Sequence, residues 1–262
     1  MRTLLVTATL LLATTAGAAE LSETIDRTFD VRAGAKVVLT NVNGRITINS
    51  WDQPRVHVIA KKEVDGDRDQ LKKALQELRV EMQPRDGGLV ITTHDPKDQR
   101  GIASIFDWLS GDHIDAEVRY ELTVPRTMNV DVSNTNGGIH LSDVTGTLEL
   151  DTTNGKIDVK RCAGSLDAST TNGSINAELL RITKDQPLRF ETTNGRIEVE
   201  LPANAGADID ASTTNGSISS DLPVATKRTS SNSLRGTING GGTSLRLRTT
   251  NGGITIRKSG NA

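Results

Sequence analysis

The sequence predicts an all-β protein that coils as a single-chain parallel β-solenoid (β-helix), with about 18–22 residues per coil and one short N-terminal α-helix. The first observation behind this prediction is the phrase Asn-Gly-x-Ile, which occurs seven times and is preceded by two threonines in five of them. The second is a finer period, because five glycines from Gly137 to Gly173 are spaced nine residues apart. Units this short cannot bury a core alone, so they must stack on their neighbours.

The Asn-Gly pairs are predicted to be the turns of the coil, because Asn and Gly tolerate positive φ. From Asn136 to Asn251 the successive spacings are 18, 18, 22, 21 and 36 residues. The last gap holds about two periods, and residues 234–238 (LRGTI) resemble a worn copy within it. The predicted turn residues are Asn43, Gly44, Asn136, Gly137, Asn154, Gly155, Asn172, Gly173, Asn194, Gly195, Asn215, Gly216, Asn251 and Gly252.

Each turn is followed by apolar, polar and apolar residues, as in Ile157-Asp158-Val159, which is the alternation of a half-buried strand. The columns beside the isoleucines have mixed chemistry, which is typical of a solvated surface. A meander of Asn-Gly hairpins is the competing fold, but identical stacked columns favour the solenoid. The predicted repeat core is Ile46, Ile139, Ile157, Ile175, Ile197, Ile218 and Ile254.

Residues 1–19 are predicted to be a secretory signal peptide. Arg2 supplies the positive start, residues 4–12 the apolar stretch and residues 16–18 a small-residue cleavage site. We therefore expect an exported protein, periplasmic or at the cell surface, with a retained N-terminal anchor as the alternative. No later stretch approaches the ~20 apolar residues of a membrane span, so no transmembrane segment is expected after cleavage.

Residues 20–125 are predicted to form an irregular β region that opens the solenoid. A helix is expected over residues 67–79, with Asp67 as its cap and Leu71, Leu75 and Leu78 as its apolar stripe. Such a helix would cover an edge or end of the coil, where backbone groups lack partners. Residues 126–258 are predicted to be the regular repeat and 259–262 a tail.

Composition excludes some classes of function. The net charge of −2 leaves no basic footprint, so nucleic acid is not an expected partner. Aromatic residues are 2% of the chain and only Phe190 lies in the repeat region, which argues against aromatic platforms for sugars or single-stranded nucleic acid. Cys162 is the only cysteine, so it has no intrachain disulfide partner and is interpreted as a tolerated small residue.

No residue pattern predicts catalysis, a cofactor or a metal site. Asp131, Asp151 and Glu191 precede turns, but they are interpreted as scattered surface carboxylates. Calcium-binding nonapeptide repeats require an aspartate that recurs in register, and none does here. The alternative is a carbohydrate-active β-helix enzyme, which would need at least two carboxylates within about 10 Å along one groove.

Residues 120–125 (YELTVP), followed by 130–132 (VDV) and 136–139 (NGGI), carry a family resemblance. A Val-Pro step followed by serial Thr-Asn-Gly-x-Ile units resembles the bacterial "putative adhesin" family of exported β-strand-repeat proteins, a domain of unknown function. The resemblance covers roughly residues 35–258. It implies an exported β-solenoid of the cell envelope and supplies no catalytic residue.

The sequence therefore predicts a non-enzymatic binding or structural module whose partner is an unknown envelope protein or polysaccharide. Two places are expected to make contacts. One is the C-terminal edge of the solenoid, where copies could associate end to end. The other is an apolar segment that could form an interaction surface, comprising Ile102, Ile105, Phe106, Trp108 and Leu109.

Overall fold

The computed structural model describes residues 7–14, 19–66, 68–94 and 115–260. Within these ranges the protein is all-β with one helix, α1 (Arg68–Glu77), and 21 strands join in one hydrogen-bonded sheet. The first strands are β1 Thr7–Thr14, β2 Ala19–Asp30, β3 Lys36–Thr40, β4 Ile46–Trp51, β5 Arg55–Gly66, β6 Arg79–Arg85, β7 Gly88–His94 and β8 Asp115–Pro125. The others are β9 Asn129–Asn136, β10 Ile139–Ser142, β11 Thr145–Asn154, β12 Ile157–Asn172, β13 Ile175–Arg181, β14 Leu188–Asn194, β15 Ile197–Leu201, β16 Ala207–Asn215, β17 Ile218–Ser220, β18 Ala225–Ser230, β19 Ser233–Ile238, β20 Thr243–Asn251 and β21 Ile254–Lys258.

The sheet folds into two layers that meet at the Asn-Gly turns. The threonine layer, which holds the Thr-Thr pairs, has the order β6-β7-β3-β9-β11-β12-β14-β20-β16-β19-β18. The isoleucine layer, which begins after the turns, has the order β1-β2-β5-β8-β4-β10-β12-β13-β15-β21-β17. Strand β12 belongs to both layers. Its first half lies in the isoleucine layer and its second half in the threonine layer.

Successive repeats pair in parallel and in register. Ile157 lies opposite Ile139 on one side and Ile175 on the other, so equivalent residues stack at the rung spacing of about 4.8 Å. The inward residues of both layers form one core; Ile46, Ile139, Ile157, Ile175, Ile197 and Ile254 are all buried. Ile218 is half-buried because β17 pairs, among the described strands, with β21 alone.

The rungs do not follow chain order at the C-terminal end. Strand β20 lies between β14 and β16, and β21 lies between β15 and β17. The prediction of a bare C-terminal edge at 252–258 is therefore wrong, since that coil is an interior rung with partners on both sides. Self-association through it would require a pairing surface that β14, β15, β16 and β17 already occupy.

The worn copy at 234–238 is not a rung of the coil. It lies in β19, which runs antiparallel to β16 and forms a hairpin with β18. This hairpin covers the outer edge of the threonine layer. Among the described strands β18 pairs with β19 alone, so it forms the final edge of this layer.

The N-terminal part departs from a purely parallel solenoid. Strands β3 and β4 add parallel rungs to β9 and β10, but β2, β5 and β8 pair antiparallel, as do β6 and β7. The array is therefore solenoid-like with antiparallel strands at both ends. Long antiparallel strands form here because no Asn-Gly turn interrupts residues 19–30 or 55–66.

Helix α1 is shorter than the predicted 67–79 and begins at Arg68; Asp67 lies outside the described residues. Leu71, Leu75 and Leu78 are buried, and the helix packs against β2 and β5. Its leucines thus extend the core over β2 and β5, at the N-terminal end of the isoleucine layer. Residues 7–14, inside the predicted signal peptide, form β1, which pairs antiparallel with β2; cleavage of residues 1–19 stays a prediction.

Candidate binding face

The Asn residues of the turns form a continuous side-chain ladder along one corner of the fold. In each step the Nδ2 group of one Asn donates to the Oδ1 atom of the Asn on the adjacent rung, at 2.7–2.8 Å. These bonds align every coil at the same point, so the surface beside the ladder has fixed geometry. The ladder runs in the order Asn43, Asn136, Asn154, Asn172, Asn194, Asn251 and Asn215.

Glycine is required at the turns mainly because the backbones approach closely. A Cβ atom on Gly173 would overlap the carbonyl oxygen of Gly155, and one on Gly195 would overlap that of Gly173. Only Gly44, Gly137 and Gly252 among the turn glycines have φ in the left-handed range. The sequence prediction gave positive φ as the reason; stacking of one turn on the next is the more general cause.

The first threonine of each Thr-Thr pair stabilises the neighbouring turn. Thr170 is 5% exposed and its Oγ1 donates to the carbonyl oxygen of Gly155 at 3.0 Å. Thr152 does the same to Gly137 at 3.1 Å. These carbonyls are sequestered by the close approach of the turns, and the hydroxyl supplies their partner. Equivalent bonds come from Thr192, Thr213 and Thr249.

The second threonine of each pair faces outward and begins what we call the polar face, the outer surface of the threonine layer. Its three columns follow the parallel register. The first column is Thr153, Thr171, Thr193, Thr250 and Thr214. The second is Asp151, Ser169, Glu191, Arg248 and Ser212, and the third is Asp131, Glu149, Asp167, Arg189, Arg246 and Asp210.

Two open grooves lie on the polar face. One, of about 450 Å³, is lined by the threonine column and its neighbours. The other, of about 270 Å³, is lined by carboxylates with Arg189. Both are shallow and polar, so they suit an extended hydrophilic ligand rather than a buried small molecule.

The parallel register brings together carboxylates that are far apart in sequence. Asp131, Glu149 and Asp167 lie side by side on three successive rungs. Lys36 Nζ lies 2.7 Å from Asp131 and 3.1 Å from Glu149, so these two carboxylates are well within about 10 Å of each other. The interpretation of scattered surface carboxylates is therefore wrong: Asp151 and Glu191 line the same groove.

The acidic cluster shifts the pKa values of its members. Burial raises the pKa of Asp167, and the nearby Glu191, Glu149 and Asp151 raise it further, while Arg189 opposes them. The hydrogen bond to Asp131 raises the pKa of Lys36. The main causes differ, burial for Asp167 and the hydrogen bond to Asp131 for Lys36, but neighbouring carboxylates raise both pKa values.

Basic residues occupy the adjoining rungs. Arg189 pairs with Glu191 at 2.8 Å, and Arg248 with Asp210 at 3.4 Å. Asp210 also forms an ion pair with Arg235 at 3.0 Å. The polar face therefore has an acidic region on β9, β11 and β12 and a more nearly neutral region on β14, β20 and β16.

Sequence reasoning missed Glu149, Arg189 and Arg248 as members of this face. A signal was present for the acids, because Asp131, Glu149 and Asp167 are 18 residues apart, one in each coil.

The predicted interaction surface at 102–109 lies outside the described residues. Cys162 is buried in the core, and its burial raises the pKa of the thiol to about 11.

Within the described ranges, no three His, Cys, Asp or Glu side chains are placed to hold a metal ion together. No helix in this part of the chain is both long and apolar enough to span a membrane.

Fold and surface together define a solenoid-like all-β protein that presents one extended polar face. The chain belongs to the Toastrack DUF4097 family, whose model matches residues 109–257. This bears out the resemblance to a domain of unknown function in "putative adhesin" proteins. No curated protein matches the chain.

Solved structures of low sequence identity are also similar to the chain. One is a "putative cell adhesion protein" from Clostridium sporogenes, with 11% identity, 89% of this chain and 99% of that chain covered, and a TM-score of 0.47. A "putative adhesin" from Bacteroides fragilis has 12% identity, coverage of 90% and 97%, and a TM-score of 0.37. A "putative lipid binding protein" from Parabacteroides distasonis has 10% identity, coverage of 90% and 96%, and a TM-score of 0.24.

Proposed function

We propose that this protein is a non-enzymatic, exported binding module of the bacterial cell envelope, and that it holds a partner protein on its polar face. The signal-peptide-like start of the sequence supports export. We interpret the scaffold as a parallel β-solenoid with antiparallel ends, whose role is to keep the columns of the polar face in register.

The main support for this proposal is the acidic groove beside the threonine column, formed by Asp131, Glu149, Asp151 and Asp167. It is preformed, because the ladder and the core fix every rung that contributes to it. Side chains of Lys and Arg on an extended segment of a partner would complement its charge. A sugar polymer would find no aromatic face here, since Phe190 is buried.

The test is crosslinking in intact cells with tagged protein, followed by recovery of the crosslinked partner. Glu149 and Glu121 are both exposed glutamates in strands, the first on the polar face and the second on the outer side of the isoleucine layer. Glu149→Lys should abolish recovery, and Glu121→Lys should preserve it. Equal recovery with both variants would refute binding at the polar face. Recovery of only polysaccharide would refute the proposal that the partner is a protein.

Binding of the recovered partner to purified protein should weaken as salt rises, because exposed charges are screened beyond about 8–10 Å at physiological ionic strength. Affinity that is independent of salt would contradict recognition through the acidic groove.

A second candidate function is carbohydrate-active catalysis. It is favoured by the carboxylates that share one groove and by the raised pKa of Asp167, since a general acid must hold its proton. Turnover of an envelope polysaccharide by the purified protein, abolished by Asp167→Asn and retained in Asp158→Asn, would establish this function and exclude the binding module.

A further inference from the structure

Each Asn-Gly pair in this protein has a latent chemical reactivity. The backbone nitrogen of the glycine can attack Cγ of the preceding Asn side chain, which forms a C–N bond and closes a five-membered ring. The Cγ–Nδ2 bond breaks and the amide nitrogen leaves as ammonia, taking up the backbone proton. Water then opens the ring to aspartate or isoaspartate. Glycine favours the reaction because no side chain hinders ring closure.

Six of the seven turns in the ladder restrain this attack. The glycine N–H of each donates to the backbone oxygen of the Asn on the next rung, as Gly155 does to Asn172 at 3.1 Å and Gly195 does to Asn251 at 2.9 Å. The remaining four bonds are made by Gly44, Gly137, Gly173 and Gly252. The attacking nitrogen is thus held in the sheet. Five of the six Asn side chains are held in the ladder on both sides, and Asn43, at its other end, donates through Nδ2 to the carbonyl oxygen of Ala116 at 3.3 Å.

The seventh turn, at Asn215 and Gly216, is the end of the ladder. Its glycine N–H has no hydrogen-bond partner among the described residues, because no further rung follows. Asn215 donates through Nδ2 to Asn251 at 2.8 Å, but its Oδ1 atom receives no ladder bond. Both residues are exposed, so water reaches them.

We propose that Asn215 is a site of spontaneous deamidation in the folded protein, while the other Asn residues of the ladder are protected. The modification needs only water and is independent of the function proposed above. It would replace an amide donor by a carboxylate opposite Asn251, and the isoaspartyl product would add a backbone carbon ahead of Ile218. Both changes should loosen β17 at the end of the isoleucine layer.

An Asn-Gly pair outside the ladder provides an internal comparison. Asn239 precedes Gly240, whose N–H also has no partner among the described residues. However, Nδ2 of Asn239 donates to two carbonyl oxygens, those of Ala203 at 3.0 Å and Ala205 at 2.9 Å. Its leaving group is therefore held more firmly than that of Asn215, and slower reaction is expected.

The experiment uses the full chain, incubated at mildly alkaline pH in water enriched with heavy oxygen and sampled over time by peptide mass spectrometry. The same protein in urea gives the unprotected rate for every Asn. Asn215 should react in the folded state nearly as fast as in urea. The six other ladder residues should react at least about tenfold more slowly than in urea, since a hydrogen bond of ~1.4 kcal/mol must open first.

Protection of Asn215 equal to that of Asn194 would overturn the proposal, and so would equal reaction at all seven sites. The Asn215→Ser variant keeps a small polar residue and removes the reactive amide. Its corresponding peptide should incorporate no heavy oxygen; persistence of the label there would place the reaction elsewhere and likewise overturn the assignment.

Discussion

The side chain of Asn251 donates a hydrogen bond of 2.7 Å to Asn194, although 57 residues separate them in sequence. Asn215, which is nearer to Asn194 in the chain, lies on the far side of Asn251. The coil formed by β20 and β21 therefore lies between two coils that precede it in the chain. Among the described strands, β16 and β17 are joined to the rest of the parallel array only by their pairing with β20 and β21.

We predict that the C-terminal coil determines the local stability of the preceding one. Leu247→Ala removes a fully buried side chain from β20 and should cost about 2–5 kcal/mol. Hydrogen exchange of amides in β16 and β17 should accelerate with it, because these strands lose their support. Leu150→Ala, the same change on β11, should destabilise its own rungs and leave the relative protection of β16 unchanged. If exchange in β16 accelerated with Leu150→Ala but not with Leu247→Ala, the proposed dependence of β16 on the C-terminal coil would be contradicted.

Replacement of a turn glycine should be costly because of its neighbour rather than its own φ. Gly173→Ala would drive a Cβ into the carbonyl oxygen of Gly155 and should lower the free energy of unfolding by about 1–3 kcal/mol or more. Gly253→Ala meets one atom, the Ser217 oxygen at 3.3 Å, and should cost less than about 1 kcal/mol. Urea denaturation measures both. Equal losses would show that backbone entropy, not close approach, explains the glycines.

The two threonines of a pair should differ in energetic importance. Thr170→Val keeps the shape but leaves the buried carbonyl of Gly155 without its hydroxyl donor, which should cost about 1–3 kcal/mol. Thr171→Val lies on the same strand and faces solvent, so its effect should stay within about 0.5 kcal/mol. Denaturant midpoints at unchanged m-value are the readout. A larger loss at Thr171 would be inconsistent with this division of roles.

The corner that returns the chain to the threonine layer should make stability depend on pH. Asp143 and Arg161, 18 residues apart, both have positive φ, and Arg161 Nε donates to Asp143 at 2.8 Å. The Arg161 guanidinium lowers the pKa of Asp143. The charged form therefore stabilises the fold above the unfolded Asp pKa of about 3.9, and this contribution is lost as pH falls through the folded pKa.

Asp143→Asn keeps a residue that tolerates positive φ and should cost about 0.2–1 kcal/mol at neutral pH. The difference from the natural protein should shrink as pH falls below the unfolded pKa of about 3.9, and it should vanish only below the lower folded pKa, where Asp143 is protonated in both states. A double-mutant cycle with Arg161→Gln should recover the coupling at neutral pH only. A difference that stays constant across the acid range would exclude the ion pair as its cause.

Prediction from the sequence succeeded where the same residue type recurs because a turn, a strand or a helix face requires it. The Ile columns, the Asn-Gly corners and the apolar stripe at Leu71 and Leu75 each leave a periodic trace. The candidate face was harder to predict, because Glu149, Arg189 and Arg248 acquire their neighbours through register between strands. Their residue types differ from coil to coil, so no column appears uniform in the sequence.

The sequence alone determined the all-β class, the length of the coil and the positions of its corners, because side-chain alternation and turn chemistry are short-range properties. The tertiary structure decided the order of the rungs, the antiparallel ends and the gathering of carboxylates on one face. The repeated phrase makes every coil compatible with every other, so local chemistry cannot specify which coils become neighbours. That choice depends on how the segments 202–206 and 239–242 connect them, and on the hairpin of β18 and β19 that covers the final edge.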